Sequence, residues 1–219
     1  MKKIVWFIIP LLAMMSSCNK DEMEDRPSLQ DEVRFSLQIQ EEGVQYVTRA
    51  TDEQTVHDVN LFLFDPRGVL PDRHFYVESG TVECSVLPGS YEAYAVANVH
   101  RDMGAMTQEQ LRAVHLPSVT KYVMLPMSGH TTLTVEDRMS APVITVRRTV
   151  AKIVCNISID PAVVYALKLQ SVQIMNAAAT TKLFEAEQAA DKFVTMTSTE
   201  IGVSEGRKAT STFYLLENC

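Results

Sequence analysis

The residues that could do chemistry are plentiful but not spaced for it. Five histidines, His57, His74, His100, His115 and His130, stand singly along the chain, none at metal-ligand spacing to another or to a cysteine. Each reads as a surface or loop imidazole. The four cysteines, Cys18, Cys84, Cys155 and Cys219, contain no C-x-x-C pair. No G-x-S-x-G elbow, H-E-x-x-H helix or G-x-x-x-x-G-K phosphate loop occurs. Carboxylates are many, but only geometry could single out a pair as an acid–base couple. The sequon Asn156-Ile157-Ser158 lies on an alternating strand pattern and reads as coincidence. The sequence therefore predicts no catalytic residue, no metal site, no cofactor and no enzyme.

Composition narrows the class further. With 20 Lys+Arg against 27 Asp+Glu the formal charge is -7, so no net basic field exists to hold nucleic acid. A content of 46% hydrophobic and 21% charged residues is that of a globular chain, not a disordered one.

One cysteine has a distinct context. Met1-Lys2-Lys3 is a short basic segment, residues 4–13 are apolar but for Pro10, and Ser16-Ser17-Cys18 follows. The apolar run is too short to span the roughly 30 Å of a bilayer's hydrocarbon. It resembles a bacterial lipoprotein signal, cut before Cys18, whose thiol then carries an acyl lipid. Met15 replaces the usual Leu, and the competing reading is an uncleaved signal anchor. Asn19-Lys20-Asp21-Glu22 resembles an export tag of surface-exposed lipoproteins in Gram-negative anaerobes; otherwise it is part of a solvated acidic tether. Cleavage before Cys18 also removes Trp6, the single tryptophan. Cys84, Cys155 and Cys219 then remain, with Cys155 expected as a buried thiol. No strand pairing favours a disulfide between any two of them.

The elements that would position these residues are mostly strands. After a polar tether over residues 18–31, Val33, Phe35, Leu37 and Ile39 alternate with polar residues, and Glu41-Glu42-Gly43 reads as a turn. VNLFLF, Val59–Phe64, is nearly all apolar and reads as a central strand covered on both faces. Strands follow over residues 74–77, 81–87 and 91–99, then over 122–125 and 131–136. Thr107 and Gln110 have capping-box spacing ahead of a short helix. A break at Ser140-Ala141-Pro142 separates two halves. The second opens on a strand with Thr149, Ala151, Ile153, Cys155, Ile157 and Ile159 on one face. Further strands are expected over 167–175 and 210–216, with weak helix over 186–192. The fold class is all-β, two tandem antiparallel β-sandwiches with one or two short helices. The expected divisions are a signal peptide over 1–17, a tether over 18–31, and sandwiches over 32–141 and 142–219.

Several phrases in order carry a family likeness. They are Thr48-Arg49-Ala50, the VNLFLF strand with Asp65 and Gly68, Leu87-Pro88-Gly89-Ser90-Tyr91 and Leu125-Pro126-Met127-Ser128-Gly129. Arg147-Arg148-Thr149-Val150-Ala151-Lys152-Ile153 and Phe213-Tyr214-Leu215-Leu216-Glu217-Asn218 complete the set. Together they resemble the fimbrillin family of pilus subunits, lipoprotein precursors with two transthyretin-like sandwiches. The resemblance covers most of residues 30–219.

It implies a surface subunit matured by cleavage after Arg49, which releases the first strand; a neighbour's strand then fills the groove. Arg49 on its own is equally an ordinary loop arginine. The implied partners are other fimbrial subunits, the outer membrane through lipid on Cys18, and a host or bacterial surface ligand for adhesion. Residues 143–219 supply fewer strands than a closed sandwich needs, so the second sandwich is expected to be incomplete. Two readings compete with a shaft subunit. One is an anchor that keeps its lipid; the other is a glycan- or peptide-binding lipoprotein using Tyr46, Tyr76, Tyr91, Tyr94 and Tyr122 as platforms.

Overall fold

The computed structural model describes residues 32–42, 55–69, 71–138, 141–160, 162, 169–184, 192–198, 202–204 and 208–217. All belong to one compact unit, Asp31–Cys219. The fold is all-β, with one short helix among the described residues.

The first strand, β1 (Val33–Glu41), follows its alternating pattern: Phe35, Leu37 and Ile39 are buried and the residues between them are not. It runs through Glu41, where a turn was expected to begin. β2 (Val59–Phe64) is buried on both faces, as its apolar run requires. Val59, Leu61 and Leu63 enter one cluster, while Phe62 and Phe64 enter another. β3 (Arg73–Val77), β4 (Thr81–Val86) and β5 (Gly89–Ala97) follow. The small Ala93, Ala95 and Ala97 all lie in the first cluster.

α1 (Gln108–Arg112) starts at Thr107 with both halves of the capping box in place. Its Leu111 is buried against Phe62, Phe64, Tyr94 and Val96, which stabilises a helix too short to stand alone. After β6 (His115–Pro117), the strand expected over residues 122–125 is irregular instead. There Tyr122 packs edge-on against Tyr214 and donates its hydroxyl to the Pro117 carbonyl. β7 (Met127–Val135) begins earlier than expected, because Met127 and Ser128 already pair with a later strand.

That strand is β8 (Val143–Arg148), which lies past the Pro142 break yet joins the N-terminal sheet. The resulting seven-stranded order is β3-β2-β5-β7-β8-β1-β4. Every pairing is antiparallel except β1 with β8. β7 and β8 pair only at Met127↔Arg148 and Ser128↔Arg147. Just beyond, Gly129 passes so close to the Thr145 carbonyl that a Cβ would collide with backbone. The core lies between β3-β2-β5-β7 and β8-β1-β4.

The remaining strands form small sheets. β9 (Val150–Ser158) pairs antiparallel with β14 (Lys208–Leu216), and β13 (Gly202–Ser204) lies on the other edge of β14. β10 (Val172–Ala178) pairs with β12 (Phe193–Ser198), with a register shift beside Asn176, whose φ is +58°. β11 (Thr180–Lys182) pairs with β6. Leu125, Val150, Ala178, Tyr214 and Leu216 form a cluster joining the halves. Cys155 is half-buried rather than fully buried, because its face of β9 is only partly covered. The weak helix expected over 186–192 lies outside the described residues except for Lys192, which is not helical.

Candidate functional site

The position of β1 is the feature with functional consequence. It occupies the slot between β4 and β8, paired antiparallel from Val33↔Val86 to Gln38↔Thr81 and parallel from Gln38↔Val143 to Glu41↔Val146. Beyond these ladders, Gln38 N donates to the Pro142 carbonyl at 3.0 Å, Ile39 N to Gly80 at 2.9 Å and Glu42 N to Val146 at 2.8 Å. Phe35, Leu37 and Ile39 point into the core beside Cys84, Val86, Ile144 and Val146. Burying each such side chain contributes about 1.5–3 kcal/mol. Removing β1 would open an apolar trough and two strand edges at once.

Carboxylates clamp both ends of the strand. At the N-terminal end, Ser85 Oγ donates to Glu32 Oε2 at 2.7 Å and Arg73 Nη2 donates to Oε1 at 2.9 Å. These two donors hold the Glu32 carboxyl below its ordinary pKa. At the far end, Arg148 Nε lies 2.8 Å from Glu41 Oε1, and Nη2 donates to Oε2 at 3.3 Å. One hydrogen bond and one close ion contact thus join the pair. The neighbouring Arg147 and Glu42 sit 3.8 Å apart and are exposed, so that pair contributes little. None of Glu32, Glu41, Arg73, Ser85 or Arg148 was singled out from the sequence as a β1 contact.

Cys84 lines the slot opposite Phe35. Burial pushes its thiol pKa up to about 12, so it is an inert neutral group while β1 is in place.

The residues expected to act on this site lie elsewhere in the chain. Cys18 and Arg49 are outside the described residues, as are Tyr46 and Cys219. A cut after Arg49 would fall in the connection between β1 and β2.

The described histidines are dispersed, and no group of metal-ligating residues occurs among the described residues. His57 donates its backbone N–H to Asn98 Oδ1, and His100 Nδ1 lies 3.1 Å from Asp58 Oδ2. His115 Nδ1 is 2.7 Å from the Ala113 carbonyl. His130 stacks on Tyr94 and sits 2.6 Å from Glu92. Tyr91 is fully buried with its hydroxyl on the Leu87 carbonyl, and Tyr94 is buried too, so neither is a free stacking platform.

A second concavity, a cleft of about 790 Å³, opens beside β12 and β14. Its lining mixes Thr197, Thr210 and Thr212 with Met196, Lys121 and Lys152. No helix among the described residues is long and apolar enough to cross a membrane.

Neither a protein-family model nor a curated protein matches the sequence. Solved structures do. The tip fimbrial protein Mfa3 from Porphyromonas gingivalis, in a C-terminally truncated form, aligns with a TM-score of 0.58 at 18% identity over 85% of this chain and 69% of that one. The fold is shared with a fimbrial protein. The fimbrial anchor protein Mfa2 from the same organism aligns with a TM-score of 0.51 at 11% identity, over 85% of this chain and 73% of that one. An adhesin candidate from Bacteroides thetaiotaomicron aligns with a TM-score of 0.61 at 12% identity, covering 86% and 72%. At these identities the likeness is one of fold alone.

Proposed function

We propose that the chain is a surface-anchored fimbrial subunit that assembles by strand exchange at the β1 slot and serves in cell adhesion. The observation that carries this reading is the seat of β1 between β4 and β8, with its apolar face in the core. A strand so placed fills the groove of its own subunit, and its loss creates an acceptor for a neighbour. In this reading Cys18 holds the precursor on the outer membrane by an acyl lipid, and cleavage after Arg49 frees β1. The partners are other fimbrial subunits, and no cofactor takes part beyond that lipid.

The test is Arg49→Ala in the native organism. It is expected to abolish the ladder of assembled species on unheated gels and leave the full-length lipidated chain on the surface. A variant that still assembles would overturn the cleavage step.

The likeness to an anchor protein as well as to a tip protein supports a second reading, in which the lipid is kept. Intact-mass analysis of assembled fimbriae separates the two. Acylated Cys18 still joined to residues after Ala50 favours the anchor, whereas a chain beginning at Ala50 favours the cleaved subunit.

A further inference from the structure

We propose that the β1 slot selects its incoming strand by carboxylates at both ends. Its partner is then a strand with three alternating apolar residues bounded by acids spaced like Glu32 and Glu41. This rests on the strand-exchange reading and names the partner that reading leaves open.

The apolar face cannot by itself choose a partner or a register. Phe35, Leu37 and Ile39 repeat at period two, so a strand displaced by two residues still presents apolar side chains to the core. Such a displacement shifts the strand by about 6.8 Å, at roughly 3.4 Å per residue.

The two ends cannot tolerate that shift. Glu32 is held from two different strands, by Arg73 of β3 and Ser85 of β4. Glu41 is held by Arg148 of β8 on the far side of the slot. When β1 leaves, Arg148 loses the Glu41 carboxylate and Arg73 loses Glu32. The Arg148 and Glu41 side chains are only 29% and 22% exposed, so water replaces this interaction poorly. The arginines therefore measure the separation between two acids on the entering strand. A strand with apolar residues alone fills the trough but does not restore the Glu41 contact to the half-buried guanidinium. β1 itself meets the requirement and serves as the reference ligand.

The test uses the full chain with a site for a sequence-specific protease in place of residues 46–51. The cut protein is freed of its N-terminal fragment in urea and refolded with labelled peptides of residues 31–42. The parent peptide is expected to bind and to protect Cys84 from alkylation. Glu41→Gln in the peptide should weaken binding about tenfold and Glu32→Gln about threefold, as a more buried ion pair outweighs a more exposed one. In a protein carrying Arg148→Gln, the parent peptide and its Glu41→Gln variant should bind within about twofold of each other, since the partner that tells them apart is gone. Peptides that all bind the unaltered slot within twofold and protect Cys84 would overturn the carboxylate rule while leaving strand exchange intact. Failure of every peptide to bind or to protect Cys84 would overturn strand exchange and this inference with it.

Discussion

β1 and β9 carry nearly the same message in sequence and meet different fates. In β1, Phe35, Leu37 and Ile39 alternate with polar residues and are buried. In β9, Ile153, Cys155 and Ile157 alternate in the same way, yet all three are only half-buried. The difference lies in what stands opposite. β1 faces a continuous core built from β2, β4, β5, β7 and β8. Among the described residues the C-terminal half offers the two-stranded β10-β12 sheet, the three-stranded β13-β14-β9 sheet and β11, which pairs with β6. There Met175 is 72% exposed and Phe193 54%. Alternation marks which face of a strand is apolar; it does not say whether anything covers that face.

The widest separation between the regions should appear in thiol chemistry. With Cys18 and Cys219 replaced by serine, Cys84 and Cys155 report on one region each. Cys84, with a pKa of about 12, carries about 10⁻⁴ thiolate at pH 8 and is closed off by β1. It should alkylate at least about a thousandfold more slowly than Cys155, with equal rates in denaturant, as read by mass spectrometry. Comparable native rates would show that the N-terminal core opens as readily as the C-terminal sheets.

Stability should divide the same way. Leu37→Ala removes a fully buried side chain and should cost about 2–5 kcal/mol. Ile157→Ala, on the half-covered face, should cost about 1 kcal/mol because much of that side chain already meets water. Urea denaturation measures both. Equal losses would erase the contrast drawn between the two faces.

Much of this contrast was hidden from the sequence for a physical reason. The VNLFLF run and the capping box of α1 are local signals, and both elements form where they are written. Contacts between distant segments leave no such mark. Pro142 reads as a break, and nothing in Val143–Arg148 says that it will lie parallel to β1. Glu41 and Arg148 stand 107 residues apart, so their pairing has no spacing to recognise. The coverage of Cys155 depends on the opposite sheet rather than on its own strand. The site is therefore legible as a strand and illegible as a slot.

Gly129 sharpens the comparison at the seam where β7 passes β8. Gly129→Ala places a Cβ against the Thr145 carbonyl, which is backbone and cannot swing aside. The strain should cost about 1–3 kcal/mol. Hydrogen exchange should show faster opening of β7 and β8, with β9 and β14 unchanged. Equal acceleration in β9 would mean that the two regions open together.

The smallest effect is a pH dependence confined to the N-terminal region. His74 lies on β3, stacked on Phe62 at 4.4 Å with its Nε2 3.2 Å from Asn60 Oδ1. Asn60 is fully buried, donates to the Arg101 carbonyl and accepts from Met103 N, so the imidazole belongs to a network that fixes the loop after β5. Burial lowers the His74 pKa, and Asp102 at 3.7 Å opposes the shift only in part. The folded chain thus favours the neutral ring, while the unfolded chain takes up a proton near the ordinary value of about 6.5. The stabilisation is complete above that value and is lost as pH falls through the lower folded pKa. Tm should accordingly decline from about pH 6.5 downward. His74→Phe keeps the ring stack but cannot titrate, so its decline should be shallower. Hydrogen exchange at pH 5.5 should then quicken in β2 and β3 of the unaltered chain but not in β9. A variant with an undiminished slope would assign the titration to another group, and acceleration in β9 would tie the two regions into one cooperative unit.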